Sequence, residues 1–309
     1  MKKLLILFLL LQTLGYSQKM KNMIDKEMDV ADFAQRQKHI VLDGIVEIPV
    51  DIAYTDIGEG EPVILLHGIP TWSYLYNNVI NLFAQEYRVI APDFLGHGYS
   101  DKRDLFDRSI EIQAKMVLRL MEALKLEKAH VIGHDTGGGV SLILAIKHPN
   151  IIDKLVLSNI VVYDSWPIDD MLALGNPEWS KKSIDEIANF LLEGYQMGLS
   201  KPNQLTKTFK EGIRAPYLTE EGKISLIRNA SSLNTNHTIS LMPRHKDIRA
   251  QTLLLWGVDD PWQTITDGRR LHIEIPNSKL IELEKTSHWL QQDSPELYVS
   301  NILDFLRNS

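Results

Sequence analysis

The chain has 309 residues, 44% of them hydrophobic and 24% charged, which suits one or two globular domains and excludes an intrinsically disordered chain. Its formal net charge is −7 with no basic block, so binding to nucleic acid or to an anionic membrane surface has little electrostatic support. There is no cysteine, which excludes disulfides, a lipid-anchored cysteine, a thiolate nucleophile and a zinc-thiolate cluster.

The first residues, "MKKLLILFLLLQTLGYSQ", combine a positive start (Lys2, Lys3), an apolar run from Leu4 to Leu11, and a small polar exit at Gly15-Tyr16-Ser17. The run is too short to span a bilayer and reads as a secretory signal peptide over residues 1–17. Its removal takes away two lysines and no acid, moving the charge from −7 to −9. Export to the periplasm or the medium is expected, with no stable membrane insertion once the leader is cleaved.

A polar lead-in (18–38) precedes "HIVLDGIVEIPVDIAYTDIG", which predicts a β-hairpin turning at Asp43-Gly44. "PVILL" (62–66), "YRVIA" (87–91), "AHVIG" (129–133) and "DKLVLS" (153–158) are short apolar runs ending in turns, the pattern of buried parallel strands. Between them, Tyr74 to Phe83, Ile110 to Leu124 and Gly138 to His148 carry apolar residues at helical spacing. Strands alternating with helices predict an α/β architecture, a mostly parallel sheet flanked by helices. The alternation breaks after Asn159. Helices are expected at Ser183 to Met197, Leu205 to Gly212 and Glu220 to Ser232, before strands return at "TLLLWG" (252–257) and "KLIEL" (279–283) and a last helix runs from Ser294 to Arg307. The division expected is a core of residues 18–159 and 250–309 with a helical cap, 160–249, over the carboxyl ends of the strands, where open α/β sheets bind ligands.

Asp135, in "VIGHDTGGG", follows a predicted strand and precedes an apolar helix, the strand–turn–helix setting of a nucleophile elbow. Such a turn lifts its central side chain above the sheet, near the positive end of the next helix. An aspartate there also serves as a helix N-cap, so the elbow alone leaves two readings. Its partners favour chemistry. "WGVDDPW" puts Asp259 and Asp260 just beyond one strand, and "KTSHWLQQDSPE" puts His288 just beyond the next. Nucleophile, acid, histidine is the chain order this elbow expects, and an acid holding one imidazole nitrogen frees the other as a base. In "LLHGIPTWSYLY" the turn after a strand aims the backbone N–H of Ile69 at the site, where it pairs with that of Thr136 as an oxyanion hole. His67 is read as structural, as are Asp93 and the glycines of "APDFLGHGYSDK".

Through "HGIPTWSYLY", "APDFLGHGYSDK", "GHDTGG" and "SHWLQQDSPE" the chain resembles α/β-hydrolases of the haloalkane dehalogenase and epoxide hydrolase group, from the hairpin to the last helix. The resemblance implies an α/β-hydrolase fold with an inserted helical cap. It also implies no cofactor, no metal, and a small apolar organic substrate attacked with the help of water. Related chains carry the acid three residues after the glycine of "WG", which from Gly257 designates Asp260 over Asp259. Many related chains place a serine where Asp135 stands. A serine forms an acyl-enzyme, whereas a carboxylate attacks an sp³ carbon and forms an alkyl-enzyme ester that water hydrolyses at the carboxylate carbon. His288 would activate that water.

Both cleavage of a carbon–halogen bond and opening of an epoxide fit this scheme, and "HGIPTWSYLY" favours the dehalogenase. In that family a tryptophan usually follows the nucleophile and steadies the halide, and one branch has an asparagine after His-Gly. Here those positions are Thr136 and Ile69. A halide leaving in an apolar pocket needs donors, and Trp72, Trp166 and Trp179 are the candidates. Epoxide hydrolases use cap tyrosines, for which Tyr163, Tyr195 and Tyr217 are the candidates. Two readings of other kinds stay open: Asp135 as a general base in a lyase or an ester or C–C hydrolase, and a catalytically silent ligand-binding protein.

Overall fold

The computed structural model describes residues 27–308, so the expected signal peptide, 1–17, lies outside the described residues. Eight strands form one sheet: β1 Lys38–Leu42, β2 Val50–Ile57, β3 Pro62–Leu66, β4 Arg88–Pro92, β5 Ala129–Asp135, β6 Ile152–Ile160, β7 Gln251–Gly257 and β8 Ser278–Leu283. Their spatial order is β1-β2-β4-β3-β5-β6-β7-β8. The pairs β1–β2 and β2–β4 are antiparallel and the rest are parallel. The α/β-hydrolase fold expected from the motifs is the fold observed.

The apolar runs read as buried strands are buried because both faces of the sheet are covered. Val63 and Leu65 of β3 pack into one core with Phe83, Tyr298 and Ile302. Ile64 and Leu66, pointing the other way, enter a second core with Val117 and Leu120 of the helix Ile110–Ala123 and with the helix Thr136–Lys147. Central β5 is buried along its whole length, whereas edge strand β1 is mostly exposed.

Three local expectations differ from the structure. The hairpin pairs Leu42 with Val50, so residues 43–49 form the connection instead of a two-residue turn at Asp43-Gly44. Ile45 drops into the core and Pro49 has no N–H for the ladder, which together prevent closer pairing. The segment expected as one helix from Tyr74 to Phe83 is a 3₁₀ turn, Ser73–Tyr76, then a short helix, Ile80–Phe83. Asn77 breaks it: its side-chain amide donates to the Tyr74 carbonyl (3.0 Å) and accepts from the Met28 N–H (3.2 Å). The lead-in also contains a helix, Val30–Arg36, started by Asp29, whose carboxylate accepts from the Ala31 N–H.

Between β6 and β7 the chain forms only helices and turns, with helices at Asp169–Leu174, Ile184–Met197, Lys207–Arg214, Glu220–Ser231 and Asn236–Ile239. Strand β6 keeps Ile160, one residue beyond the expected core boundary; Gly138 presses on it so closely that a β-carbon there would stand 1.9 Å from Ile160 Cγ2. The helical segment is tied to the sheet layer by Arg108, which donates to the Ser225 carbonyl (2.9 Å) and Asn229 Oδ1 (3.0 Å). Among the described residues no helix is long and apolar enough to cross a membrane.

Candidate active site

Asp135 ends β5 and directly precedes the helix Thr136–Lys147, with φ 51° and ψ −123°. A non-glycine residue held at positive φ marks a strained turn of the kind found at functional sites. Its side chain makes no N-cap hydrogen bond, so the capping reading of this aspartate does not apply. Instead Oδ1 accepts from the Ile69 N–H at 2.8 Å, and the Thr136 N–H serves the same carboxylate. Gly68 makes this approach feasible, because a β-carbon there would lie 2.1 Å from Asp135 Oδ1.

His288 follows β8. Its Nδ1 lies 2.8 Å from Asp260 Oδ2, and its Nε2 lies 4.0 Å from Asp135 Oδ2. The carboxylate can only accept, so Nδ1 carries the proton and Nε2 presents a lone pair toward Asp135. Asp260 is fixed on its other side: Oδ1 accepts from the Trp262 and Gln263 N–H groups (2.8 and 3.1 Å), and Asn159 Nδ2 donates to Oδ2 (2.5 Å). Asp259 is exposed and accepts from Ser200 Oγ, so Asp260 is the acid that touches the histidine.

Burial pushes the Asp135 carboxyl up to about 6, against the lowering pull of His288 and the two backbone N–H groups. Burial alone would depress His288, but the charge and hydrogen bond of Asp260, joined by the charge of Asp135, raise it above its ordinary value. The structural reading of His67 agrees with its contacts. The ring joins the Gly68 carbonyl to the Phe94 N–H, and burial lowers its pKa to about 4. Asp93 likewise accepts from the Ser73 and Tyr99 N–H groups, holding two loops together.

A cavity of about 230 Å³ opens over Asp135 and His288. Ile69 and Thr136 border it below, and Val161, Trp166, Phe190, Leu191, Trp262 and Trp289 are among its walls. It is at the small end of ordinary ligand pockets. Among the described residues no Tyr, Lys or Arg lines it, and exposed Asp170 and Glu193 stand at its rim.

That lining corrects most of the expected substrate contacts. Trp72 is buried away from the cavity, its indole N–H donating to the Gly212 and Ile213 carbonyls (both 3.1 Å). Tyr163 donates to Glu274 (2.8 Å), Tyr195 to the Pro70 carbonyl (2.9 Å) and Tyr217 to the Thr71 carbonyl (2.8 Å). These hydroxyls stitch the helical segment to the core, because buried donors must find acceptors. Trp179 packs edge-on against Phe190 outside the lining. Only Trp166 of the candidates borders the cavity, and its N–H is committed to Thr238 Oγ1 (2.7 Å). Sequence reasoning did not single out Asn159 or Gln263. Their one legible signal was a polar residue at or just past the carboxyl end of a parallel strand. Among the described residues no group of three or more His, Cys, Asp or Glu stands together as a metal site.

Residues 61–295 of the chain match a family model described as alpha/beta hydrolase fold. The chain belongs to that family. It is 28% identical over 268 residues (83% of this chain, 91% of the relative) to a 2-hydroxy-6-oxo-6-phenylhexa-2,4-dienoate hydrolase of Burkholderia cepacia. It is 26% identical over 263 residues (82% and 90%) to haloalkane dehalogenase 2 of Mycobacterium tuberculosis. Among solved structures it is similar to an alpha/beta hydrolase fold protein from Burkholderia ambifaria, with a TM-score of 0.81, 25% identity, and coverage of 90% of this chain and 99% of that one.

Proposed function

We propose that this hydrolase is haloalkane dehalogenase-like, with Asp135 as the nucleophile. The observation that carries the reading is the division of labour within one carboxylate. Oδ1 is held by the Ile69 N–H, while Oδ2, buried, faces His288 in a mostly apolar cavity. A desolvated carboxylate attacks carbon more readily than a hydrated one. Oδ2 displaces the halide, which leaves with the electron pair of the carbon–halogen bond. The carboxylate carbon is then an ester carbon, and the 4.0 Å between Oδ2 and His288 Nε2 is too long for a direct hydrogen bond. A water placed there gives its proton to Nε2 and attacks that carbon, while the Ile69 and Thr136 N–H groups receive the oxyanion. Asp260 orients the imidazole and balances its charge.

The cavity lining argues against the competing substrates. Epoxide opening leaves an alkoxide that needs a proton donor, and the cap tyrosines turn their hydroxyls elsewhere. A halide needs no proton. A dienoate, the substrate type in the name of the Burkholderia cepacia relative, is an anion; it would meet Asp135, Asp170 and Glu193 with no lysine or arginine among the described lining residues to balance them, His288 being held by Asp260. A silent binding protein has no use for a buried, strained aspartate beside an oriented imidazole. The test is the intact mass of His288→Ala after incubation with a 1-haloalkane and, separately, a terminal epoxide. Alkyl gain without halogen, mapped to Asp135, is expected; gain of the whole epoxide instead would make the enzyme an epoxide hydrolase. Wild-type turnover with no adduct on the variant rejects the covalent scheme.

A further inference from the structure

A halide released into an apolar cavity is a desolvated anion, so some group must donate to it as the bond breaks. We infer that the side-chain amide of Gln263 is that donor, an assignment that rests on the dehalogenase reading above. Gln263 is 3% exposed and borders the cavity together with Asp135 and His288. Its backbone is spoken for: the N–H donates to Asp260 Oδ1 (3.1 Å) and the carbonyl accepts from Trp256 Nε1 (2.8 Å). Its backbone groups are thus engaged, which leaves the side chain to serve the cavity. The amide oxygen is buried without a hydrogen-bond partner among the described residues.

A buried amide oxygen without a partner is destabilising in a folded protein, and an amide free to reorient toward an anion explains its retention. Rotation about the last side-chain bond turns the NH₂ end toward a negative charge, giving two N–H donors. The backbone hydrogen bond to Asp260 ties this residue to the same turn that supplies the acid of the acid–histidine pair. Other cavity groups serve less well. Trp166 spends its N–H on Thr238, Asp170 and Glu193 repel an anion, and Trp289 Nε1, although it too is buried without a partner among the described residues, is packed against Gly198. The step balances without a further reactant: the Asp135 Oδ2–carbon bond forms, the carbon–halogen bond breaks with its electron pair going to the halide, and Gln263 gives hydrogen bonds but no proton.

The experiment measures adduct formation on Asp135 by intact mass in the His288→Ala background, with 1-chloro-, 1-bromo- and 1-iodoalkanes of one chain length. Gln263→Leu should slow alkylation by the chloride about 10- to 100-fold, the range for a lost hydrogen bond to a charged group. The bromide and iodide should lose progressively less, because their charge is more diffuse. Gln263→Met, nearly equal in length, should repeat the result and separates lost donation from lost packing. A rate unchanged in both variants, or slowed equally for all three halides, overturns the assignment. So does a chloride-selective loss that falls on Thr136→Val or Trp262→Phe while sparing Gln263→Leu. Absence of any adduct in His288→Ala itself is a separate failure, since it rejects the dehalogenase reading before Gln263 is altered.

Discussion

Replacing Asp135 by asparagine should abolish turnover and make the protein more stable. The reason is the charge that folding buries. Burial lifts this carboxyl from an ordinary 3.8 to about 6, so at pH 8 the folded state holds an anion that the unfolded chain would expose to water. At 1.36 kcal/mol per pH unit, that lift corresponds to about 3 kcal/mol of stability forgone. Asparagine keeps the acceptor for the Ile69 N–H and the same strained backbone, so those contributions cancel between the two proteins. The folded carboxyl binds its proton more tightly than the unfolded one. Wild-type stability therefore rises as pH falls through about 6, and the advantage of Asp135→Asn shrinks until it vanishes below 3.8. Urea unfolding of both proteins from pH 8 to pH 4 measures this directly, and thermal unfolding at pH 8 should show a Tm gain of about 5 °C. An asparagine variant no more stable than wild type at pH 8, or one whose advantage does not fall with pH, would refute the argument.

Other consequences follow from the same geometry. Turnover should rise with pH through an acid limb at or above about 6, because Asp135 must be ionised and His288, whose own pKa is raised, must be neutral; a limb near 4 contradicts this. Gly68→Ala places a methyl group 2.1 Å from Asp135 Oδ1, so pre-steady-state alkylation should fall by about 100-fold or more; near-normal alkylation would mean the carboxylate is not held as described. Asn159→Gly keeps a backbone that suits φ 41° but removes the donor to Asp260, so kcat should fall about 10-fold with little change in KM and the alkyl-enzyme should accumulate. A change confined to KM would place Asn159 outside the hydrolytic step.

Much of this protein was legible before any coordinates. The parallel strands could be read because a strand covered on both faces must be apolar at every position, as in "AHVIG" and "PVILL". The helix Ile265–Glu274 could not, because it buries only Gly268 and Leu271 and leaves almost no periodic signal. The turn at Asp43-Gly44 misled because local turn chemistry lost to the burial of Ile45. Within the site, Asp135, His288 and Asp260 stood out as chemical residue types at strand ends. The cap tyrosines turn away from the cavity for a physical reason: composition says that a buried tyrosine needs an acceptor, but only the fold says whether that acceptor is a substrate or the Pro70 carbonyl. Gln263 and Asn159 were invisible for the converse reason, since an amide acquires a role only through its spatial neighbours.

The central claim is that water is added to Asp135 and not to the substrate, and a single turnover in H₂¹⁸O tests it. Enzyme in excess over a 1-haloalkane is allowed to react once, and the mass of the peptide carrying Asp135 and of the alcohol are both read. If Asp135 is the nucleophile, hydrolysis at its carboxylate carbon leaves ¹⁸O in Asp135, and the alcohol departs with an unlabelled oxygen from the protein. If Asp135 only removes a proton from water, the alcohol carries ¹⁸O in the first turnover and Asp135 stays unlabelled, which would contradict the mechanism.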